Sequence, residues 1–117
     1  MELTIRTRSA GRVVVVKLAG RMVLGQETAS ATDWLRALIC DRPRVVLDLD
    51  GLRSVDPSGI GALLSLYASA AQHGGQVHLA RPSTKLAAML RTTKLSSIFP
   101  VYDSPEEAIA AFGAPTV

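Results

Sequence analysis

The sequence has 117 residues, which is the length of one domain with a single core. Apolar residues make up 48% and charged residues 20% of the chain, a balance that indicates a folded protein and excludes a disordered one. The formal net charge is +3, yet the basic residues are scattered along the sequence and no aromatic cluster accompanies them. We therefore expect no nucleic-acid binding.

Cysteine usage and hydropathy exclude further classes of protein. Cys40 is the only cysteine, so an intrachain disulfide and a four-thiolate metal site are impossible, and we expect a buried thiol near a helix end. No apolar run reaches the roughly 18 residues of a membrane span. Residues 1–6 lack the order of a secretory signal. We expect a cytoplasmic protein with no membrane span, no metal and no cofactor.

The first third of the chain predicts a hairpin followed by a helix. Residues 4–8 alternate so that Ile5 and Thr7 lie on one face, and residues 13–18 are rich in β-branched side chains, so we predict two paired strands. Apolar side chains at helical spacing over residues 31–39 predict a helix, with Ser30 and Asp33 spaced as a capping box near its start.

The middle of the chain predicts a buried strand and a long helix. Residues 45–49 form a nearly continuous apolar run between charged ends, which is typical of a central strand covered on both faces. Residues 58–73 predict a helix that ends at the glycine pair 74–75. The buried stripe of this helix is predicted to comprise Ile60, Leu63, Leu64, Tyr67 and Ala71.

The last third predicts two more strands and two more helices. We predict strands at residues 77–79 and 98–102, and between them a helix capped by Ser83 or Thr84. A capping serine, a proline at the first helical position and a glutamate three residues after the serine begin the last helix, at Ser104-Pro105-Glu106-Glu107.

The order of elements is therefore β-β-α-β-α-β-α-β-α. It predicts an α/β fold with a mixed, mostly parallel sheet of four to five strands and about four helices packed on it. Because the sequence has no internal repeat and no linker, we expect a single domain over residues 1–112 and a frayed tail over residues 113–117.

One segment departs from ordinary surface chemistry. Residues 57–80 contain no acidic side chain, no lysine and no arginine. Opposite the predicted apolar stripe lies a strip of small or uncharged residues, the uncharged strip: Ser58, Gly61, Ala62, Ser65, Ser69 and Gln72. A solvated helix face usually carries charges, so this strip favours close approach of another protein. The alternative is that further structure of the same chain covers it.

The start of the same helix can hold an anion. Asp56 is placed to cap the helix and Pro57 suits its first position. Ser58 then lies in the first turn, where backbone N–H groups and the positive end of the helix dipole favour a phosphate. The spacing alone is equally consistent with an alternative to phosphate binding. In that alternative Ser58 is a spare capping residue and Gly59 only allows tight packing.

Residues 45–64 resemble the signature of STAS domains, specifically the free-standing anti-sigma factor antagonists of bacteria. In that family a strand ending in Asp and a short turn precede Asp-Ser-Ser-Gly-Leu/Ile-Gly at the start of a helix, and this chain has Asp56-Pro57-Ser58-Gly59-Ile60-Gly61. Further matches are Gly20, the glycine pair 74–75, and residues 93–95, 99 and 104–108, so the resemblance covers nearly the whole chain.

The resemblance implies a STAS-like fold and a partner switch that is not an enzyme. In that family the serine before the glycine, here Ser58, is phosphorylated by an anti-sigma factor that is also a serine kinase. The unphosphorylated form binds that partner and frees a sigma factor. The predicted partner-binding surface joins the motif, the uncharged strip and one neighbouring cation: Asp56, Pro57, Ser58, Gly59, Gly61, Ala62, Ser65, Ser69 and Arg21.

The chain departs from the family pattern at two places. Pro57 replaces the first serine of the motif, which leaves a single hydroxyl and stiffens the turn. After Gly20 the family often has Glu-Leu-Asp, whereas this chain has Arg21-Met22-Val23, so an acidic residue is missing. Residues 20–25 are predicted to form a loop at the sheet edge near Ser58, where Arg21 is a candidate to pair with a phosphate.

Two other functions compete with the switch. An enzyme is disfavoured because Asp56 and Ile60 occupy the glycine positions of a nucleophile elbow around Ser58. His73 and His78 are the only histidines, and neither belongs to a recognisable acid–base pair. The remaining alternative is a STAS domain that binds its partner constitutively, as a non-switching scaffold subunit of a stress-signalling complex or of a lipid transporter.

Overall fold

The computed structural model describes residues 3–113, so residues 114–117 of the predicted tail lie outside it. The described residues form the predicted order of elements, with a short 3-10 helix (Leu95–Ser97) added before the last strand. The elements are β1 (Leu3–Ala10), β2 (Val13–Met22), α1 (Gln26–Asp41), β3 (Arg44–Val55), α2 (Pro57–Gln72), β4 (Gln76–Ala80), α3 (Thr84–Thr92), β5 (Val101–Tyr102) and α4 (Pro105–Ala110). Across the described part of the chain, no helix is long and apolar enough to cross a membrane.

The strands form one sheet in the order β1-β2-β3-β4-β5. β1 runs antiparallel to β2 and every other neighbouring pair is parallel, so the predicted mixed, mostly parallel sheet is confirmed. β3 lies in the centre, and its residues 45–49 are all buried, as expected of a strand covered on both faces.

Helices pack on both faces of the sheet. On one face α1, α2 and α3 bury the larger core, to which β2 contributes Val14 and Val16. On the other face Val13 and Val15 of the same strand join a smaller core with Ala108 of α4. Alternate side chains of β2 therefore serve opposite faces, as the period of two in a strand requires.

The connection between β2 and α1 is shorter than predicted. β2 continues to Met22, which pairs with Val55 of β3, so residues 20–22 belong to the strand and not to a loop. Only residues 23–25 connect the two elements. Pairing with the long strand β3 extends β2 past the point where its own apolar pattern ends.

Two expectations for α1 are wrong. The helix begins at Gln26 without a side-chain cap, and Ser30 and Asp33 lie inside it, so they form no capping box. The hydroxyl of Ser30 instead accepts a hydrogen bond from the side chain of Gln26 at 3.0 Å. Cys40 is exposed and not buried, because it lies one residue, about 100° of helical turn, beyond the buried stripe.

The buried stripe of α2 is rotated from the predicted one. Of the predicted residues, Leu64 and Tyr67 are only half-buried and Ala71 is exposed. Because α2 is apolar around much of its circumference, its pattern alone does not identify the side that packs on the sheet. The residues that do so are Gly59, Ile60, Leu63, Leu66 and Ala70.

The end of the chain differs from its prediction in one element. β5 spans only Val101–Tyr102 rather than residues 98–102, because the backbone N–H of Ile98 donates to a carbonyl of the preceding 3-10 helix at 2.9 Å. The caps predicted at Ser83 and Ser104 are confirmed, since each hydroxyl accepts a backbone N–H three residues on, at 3.1 and 3.0 Å.

Candidate partner-binding site at the start of helix α2

The ends of β2 and β3 place the start of α2 beside the connection 23–25. Met22 and Val55 are the last paired residues of the two strands. The backbone N–H of Asp56 then donates to the carbonyl oxygen of Met22 at 3.3 Å. Two segments that are far apart in the sequence therefore meet at the carboxyl edge of the sheet, where α/β folds place their functional groups.

The carboxylate of Asp56 joins these two segments. One oxygen accepts the backbone N–H of Gly59 at 2.9 Å, which is the predicted N-cap of α2. The other oxygen accepts the backbone N–H of Leu24 at 2.9 Å. These bonds, from Leu24 first and then from Gly59, lower the pKa of Asp56 below its ordinary value, because they favour the charged carboxylate.

Gly59 is required for the close approach of α2 to β2. A Cβ atom at this position would lie 2.1 Å from the carbonyl oxygen of Met22 and 2.7 Å from Cγ1 of Val55. Gly59 therefore has the packing role that the spacing allowed. Pro57 occupies the first position of α2, and Asp56 provides the cap, so capping does not require the hydroxyl of Ser58. Ser58 is exposed in the first turn.

A groove of about 270 Å³ runs from Ser58 between α1 and α2. The two helices and residues 23–25 line it: Val23, Leu24, Gly25, Thr28, Ala29, Thr32, Asp33, Arg36, Ser58, Ala62 and Ser65. We call it the Ser58 groove. Leu24 is 80% exposed at this groove, which is unusual for a large apolar side chain beside polar ones.

α1 covers part of the uncharged strip. Nη1 of Arg36 donates to the hydroxyl of Ser65 at 2.8 Å, and Nη2 of the same side chain pairs with Asp33. Ala62, Ser65 and Ser69 are half-buried, whereas Ser58, Gly61 and Gln72 are exposed. The alternative that the chain itself covers the strip is therefore correct for its middle, while the part nearest Ser58 stays accessible.

Arg21 lies in β2 and not in a loop, in register with Ser54 of β3. It is exposed, and its neighbour Met22 is buried in the core shared with α1 and α2. Because alternate strand residues point to opposite faces, Arg21 belongs to the face that is turned away from α2.

The histidines lie far from Ser58. His73 follows the last turn of α2 and lies 15 residues after Ser58, about 22 Å along the helix axis. His78 is buried in β4, with its ring nitrogens 2.9 Å from the carbonyl oxygen of Ala108 and 2.9 Å from the side-chain oxygen of Gln76. Within residues 3–113 no group of three or more His, Cys, Asp or Glu side chains is placed to hold a metal ion.

Sequence reasoning missed Leu24 and Arg36, which the fold brings to the Ser58 groove. Leu24 carries a weak signal, since a leucine followed by glycine between a strand and a helix is an unusual loop residue. The sequence gives no such signal for Arg36, because its position beside α2 depends on how α1 packs.

A comparison with known proteins places this fold. The family model described as the STAS domain matches residues 4–108. A search of the curated proteins found no match. An anti-sigma factor antagonist from Mycobacterium paratuberculosis is 24% identical, with a TM-score of 0.76 over 93% of this chain and 92% of that chain.

Two further solved structures have the same fold. The Bacillus cell fate determinant SpoIIAA, an anti-sigma factor antagonist, in its phosphorylated form is 20% identical, with a TM-score of 0.69 over 94% of this chain and 100% of that chain. A sulfate transporter family protein from Wolinella succinogenes is 18% identical, with a TM-score of 0.70 over 86% of this chain and 84% of that chain. The fold is thus common to an anti-sigma factor antagonist and to a sulfate transporter family protein.

Proposed function

The chain belongs to the STAS domain family, and we propose that it acts as an anti-sigma factor antagonist controlled by phosphorylation of Ser58. Unphosphorylated protein binds an anti-sigma factor with serine kinase activity, and the sigma factor held by that partner is released. The observation that carries this proposal is the placement of Ser58. Its hydroxyl is exposed in the first turn of α2, at the Ser58 groove and at the motif position of the family's phosphorylated serine.

The surroundings of Ser58 suit a phosphate acceptor and not a nucleophile. Both oxygens of Asp56 accept backbone N–H groups, so this carboxylate is occupied in holding the site together. The first turn of α2 contains no acidic residue, and the nearest carboxylate, that of the N-cap Asp56, is compensated by the backbone N–H groups of Leu24 and Gly59. The catalytic groups for phosphoryl transfer come from the partner kinase, and the chain itself is a cytoplasmic protein without enzymatic activity.

Phosphorylation weakens partner binding through the cost of burying charge. A phosphate adds about −1.5 to −2 charges beside the exposed apolar side chain of Leu24. Among the described residues of the Ser58 groove the one cation is Arg36, which Asp33 and Ser65 already hold. Ser65 is seven residues from Ser58, about 10 Å along the helix. A partner that covers Ser58 must therefore desolvate an unpaired dianion, at a cost of several kcal/mol.

Phosphate mapping tests the acceptor. The protein is incubated with ATP and a cognate anti-sigma kinase, and the phosphate is located by intact-mass and fragment spectra. We expect one phosphate, on Ser58, and none on Ser58→Ala. Ser96→Asp, an exposed serine changed on the 3-10 helix, is the matched control and should be phosphorylated like wild type. A phosphate on Ser54 or Ser65 with Ser58 unmodified would overturn the assignment.

A second candidate function is a scaffold that does not switch. The observation that favours it is the fold likeness to a sulfate transporter family protein. In that case the exposed part of the uncharged strip binds a partner constitutively, and modification of Ser58 has no effect on affinity. A gene for a transporter permease beside this one, in place of an anti-sigma kinase, would support the scaffold.

A further inference from the structure

The sheet face on which α4 packs is only partly covered. α4 contacts β3, β4 and β5, and its Ala108 shares a small buried core with Val13 and Val15 at the start of β2. Beyond that core, β1 and the second half of β2 carry exposed side chains on this face. These side chains are Thr4, Arg6 and Arg8 from β1 and Lys17 and Arg21 from β2. The strand register thus gathers cations that are scattered in the sequence.

Two of these cations stand directly opposite each other. Arg6 pairs with Lys17 in the antiparallel ladder of β1 and β2. Cross-strand neighbours have Cβ atoms about 4.5–5.5 Å apart, and like charges at that separation destabilise a sheet. Within residues 3–113 neither Arg6 nor Lys17 forms an ion pair. The described chain therefore supplies no carboxylate to neutralise this pair.

The nearby carboxylates of Asp48 and Glu106 have partners other than Arg6 and Lys17. Asp48 is in register with Lys17, but its buried side chain accepts both Nε and Nη2 of Arg81, at 3.1 and 2.7 Å. Glu106 of α4 pairs with Arg8 at 3.8 Å, on the border between the covered and the uncovered half. This contact shows that a carboxylate can approach the face from the solvent side.

We propose that Arg6, Arg8 and Lys17 form a second docking surface, the basic face, for an acidic segment of a partner protein. The face carries no exposed aromatic side chain on which a base could stack. Among the described residues it also carries no exposed large apolar side chain to enter a membrane. A second copy of the chain packed face to face would bring the same positive charge. Carboxylates of another protein fit best, because Glu106 already makes such a contact at the border.

The basic face is separate from the Ser58 groove. The residues of the groove belong to α1, α2 and the connection 23–25, on the opposite face of the sheet. An acidic segment can therefore bind while the groove is occupied, whatever the state of Ser58. The proposal thus goes beyond the partner switch, and either one can fail without the other.

A charge-reversal experiment tests the basic face. The probe is a fluorescein-labelled peptide of alternating glutamate and serine, titrated at physiological ionic strength and followed by anisotropy. The double variant Arg6→Glu/Lys17→Glu reverses the charge of the basic face. Lys85→Glu with Arg91→Glu, both exposed on α3, changes the formal charge equally on the other side of the molecule. We expect at least about tenfold weaker binding for the first double variant and little change for the second.

Amide shifts on the labelled protein give the position of the bound peptide. We expect shifts over residues 4–8 and 15–21, and none for a peptide with glutamine in place of glutamate. Equal loss of binding in both double variants, or shifts confined to α2, would overturn the proposal. Tighter binding of duplex DNA or of phosphatidylglycerol vesicles through Arg6 and Lys17 would overturn the choice of a protein partner.

Arg6→Glu alone, which places a carboxylate opposite Lys17, should raise the urea midpoint, and a lowered midpoint would contradict the like-charge argument.

Discussion

At the scale of single residues, the two oxygens of Asp56 have separable tasks. One caps α2 at Gly59 and the other holds the connection at Leu24. In Asp56→Asn the amide oxygen can keep the cap, but the amide nitrogen cannot accept the N–H of Leu24. We expect faster hydrogen exchange at the amide of Leu24 and little change at Gly59, measured by NMR. Equal acceleration at both amides would contradict this division.

The contribution of Asp56 to the free energy of unfolding also depends on pH. Its folded pKa is lowered, first by the Leu24 N–H and then by the Gly59 N–H, so the unfolded chain takes up the proton first as pH falls. The stabilisation is complete above the unfolded pKa of about 3.9 and is lost as pH falls through the folded pKa. The stability gap between wild type and Asp56→Asn in urea should therefore shrink below about pH 4.

Two glycines of α2 form a matched pair. A Cβ at Gly59 would lie 2.1 Å from the carbonyl oxygen of Met22, whereas a Cβ at Gly61 meets nothing within 4 Å. We expect Gly59→Ala to lower the free energy of unfolding by about 1–3 kcal/mol through overpacking. Gly61→Ala should raise it by about 0.5–1 kcal/mol through helix propensity. Urea unfolding measures both, and a stabilised Gly59→Ala would show that α2 does not pack tightly on β2.

At the scale of elements, a buried histidine fastens α4 to the sheet. His78 is 2% exposed, its Nδ1 lies 2.9 Å from the carbonyl oxygen of Ala108, and its ring stacks on Phe112 with centroids 3.8 Å apart. Burial lowers the pKa of His78 below its ordinary value, and the hydrogen bond to Ala108 opposes this only in part. The neutral ring is therefore the form that suits the folded protein.

This lowered pKa predicts a loss of stability in mild acid. The unfolded histidine binds its proton first, so the contribution of neutral His78 is complete above about pH 6.5 and is lost as pH falls toward the folded pKa. We expect thermal unfolding to show a larger drop between about pH 7 and pH 5 for wild type than for His78→Gln. His73→Gln, exposed at the end of α2, is the control. The same drop in all three proteins would contradict the account.

The elements that the sequence predicts well are those with local signals. The caps at Asp56, Ser83 and Ser104, and the alternation of strands with helices, are readable without the fold. The extension of β2 to Met22 is not, because pairing with β3 holds those residues in the strand. Residue propensity and hydrophobic periodicity depend only on the segment itself. Strand pairing depends also on a second segment that lies elsewhere in the sequence.

The candidate site divides in the same way. Asp56 as a cap and Ser58 in the first turn follow from four consecutive residues. The bond from Leu24, the guanidinium of Arg36 and the placement of Arg21 on the far sheet face all depend on packing between distant segments. The basic face could not be predicted from the sequence either, because its cations are far apart in the sequence and only the strand register brings them together.

At the scale of the whole molecule, β3 is the centre of stability. Its residues 45–49 are buried between two cores, and residues 45–48 pair with strands on both sides. Backbone amides that open only on global unfolding exchange most slowly. We expect the slowest exchange at Val46, Leu47 and Asp48. Faster exchange there than in the β1–β2 hairpin would show that the sheet is stabilised from its edge.

In the proposed switch, a negative charge on Ser58 decides whether the partner binds. Isothermal calorimetry with a cognate anti-sigma factor tests it most directly, on wild type, Ser58→Ala, Ser58→Asp and the control Ser96→Asp. The burial cost of several kcal/mol, at 1.4 kcal/mol per factor of ten, predicts roughly hundredfold or weaker binding for phosphorylated protein and a loss in the same direction for Ser58→Asp. Ser58→Ala and Ser96→Asp should bind like unphosphorylated wild type, whereas equal affinity for all four proteins and for phosphorylated wild type would contradict the switch.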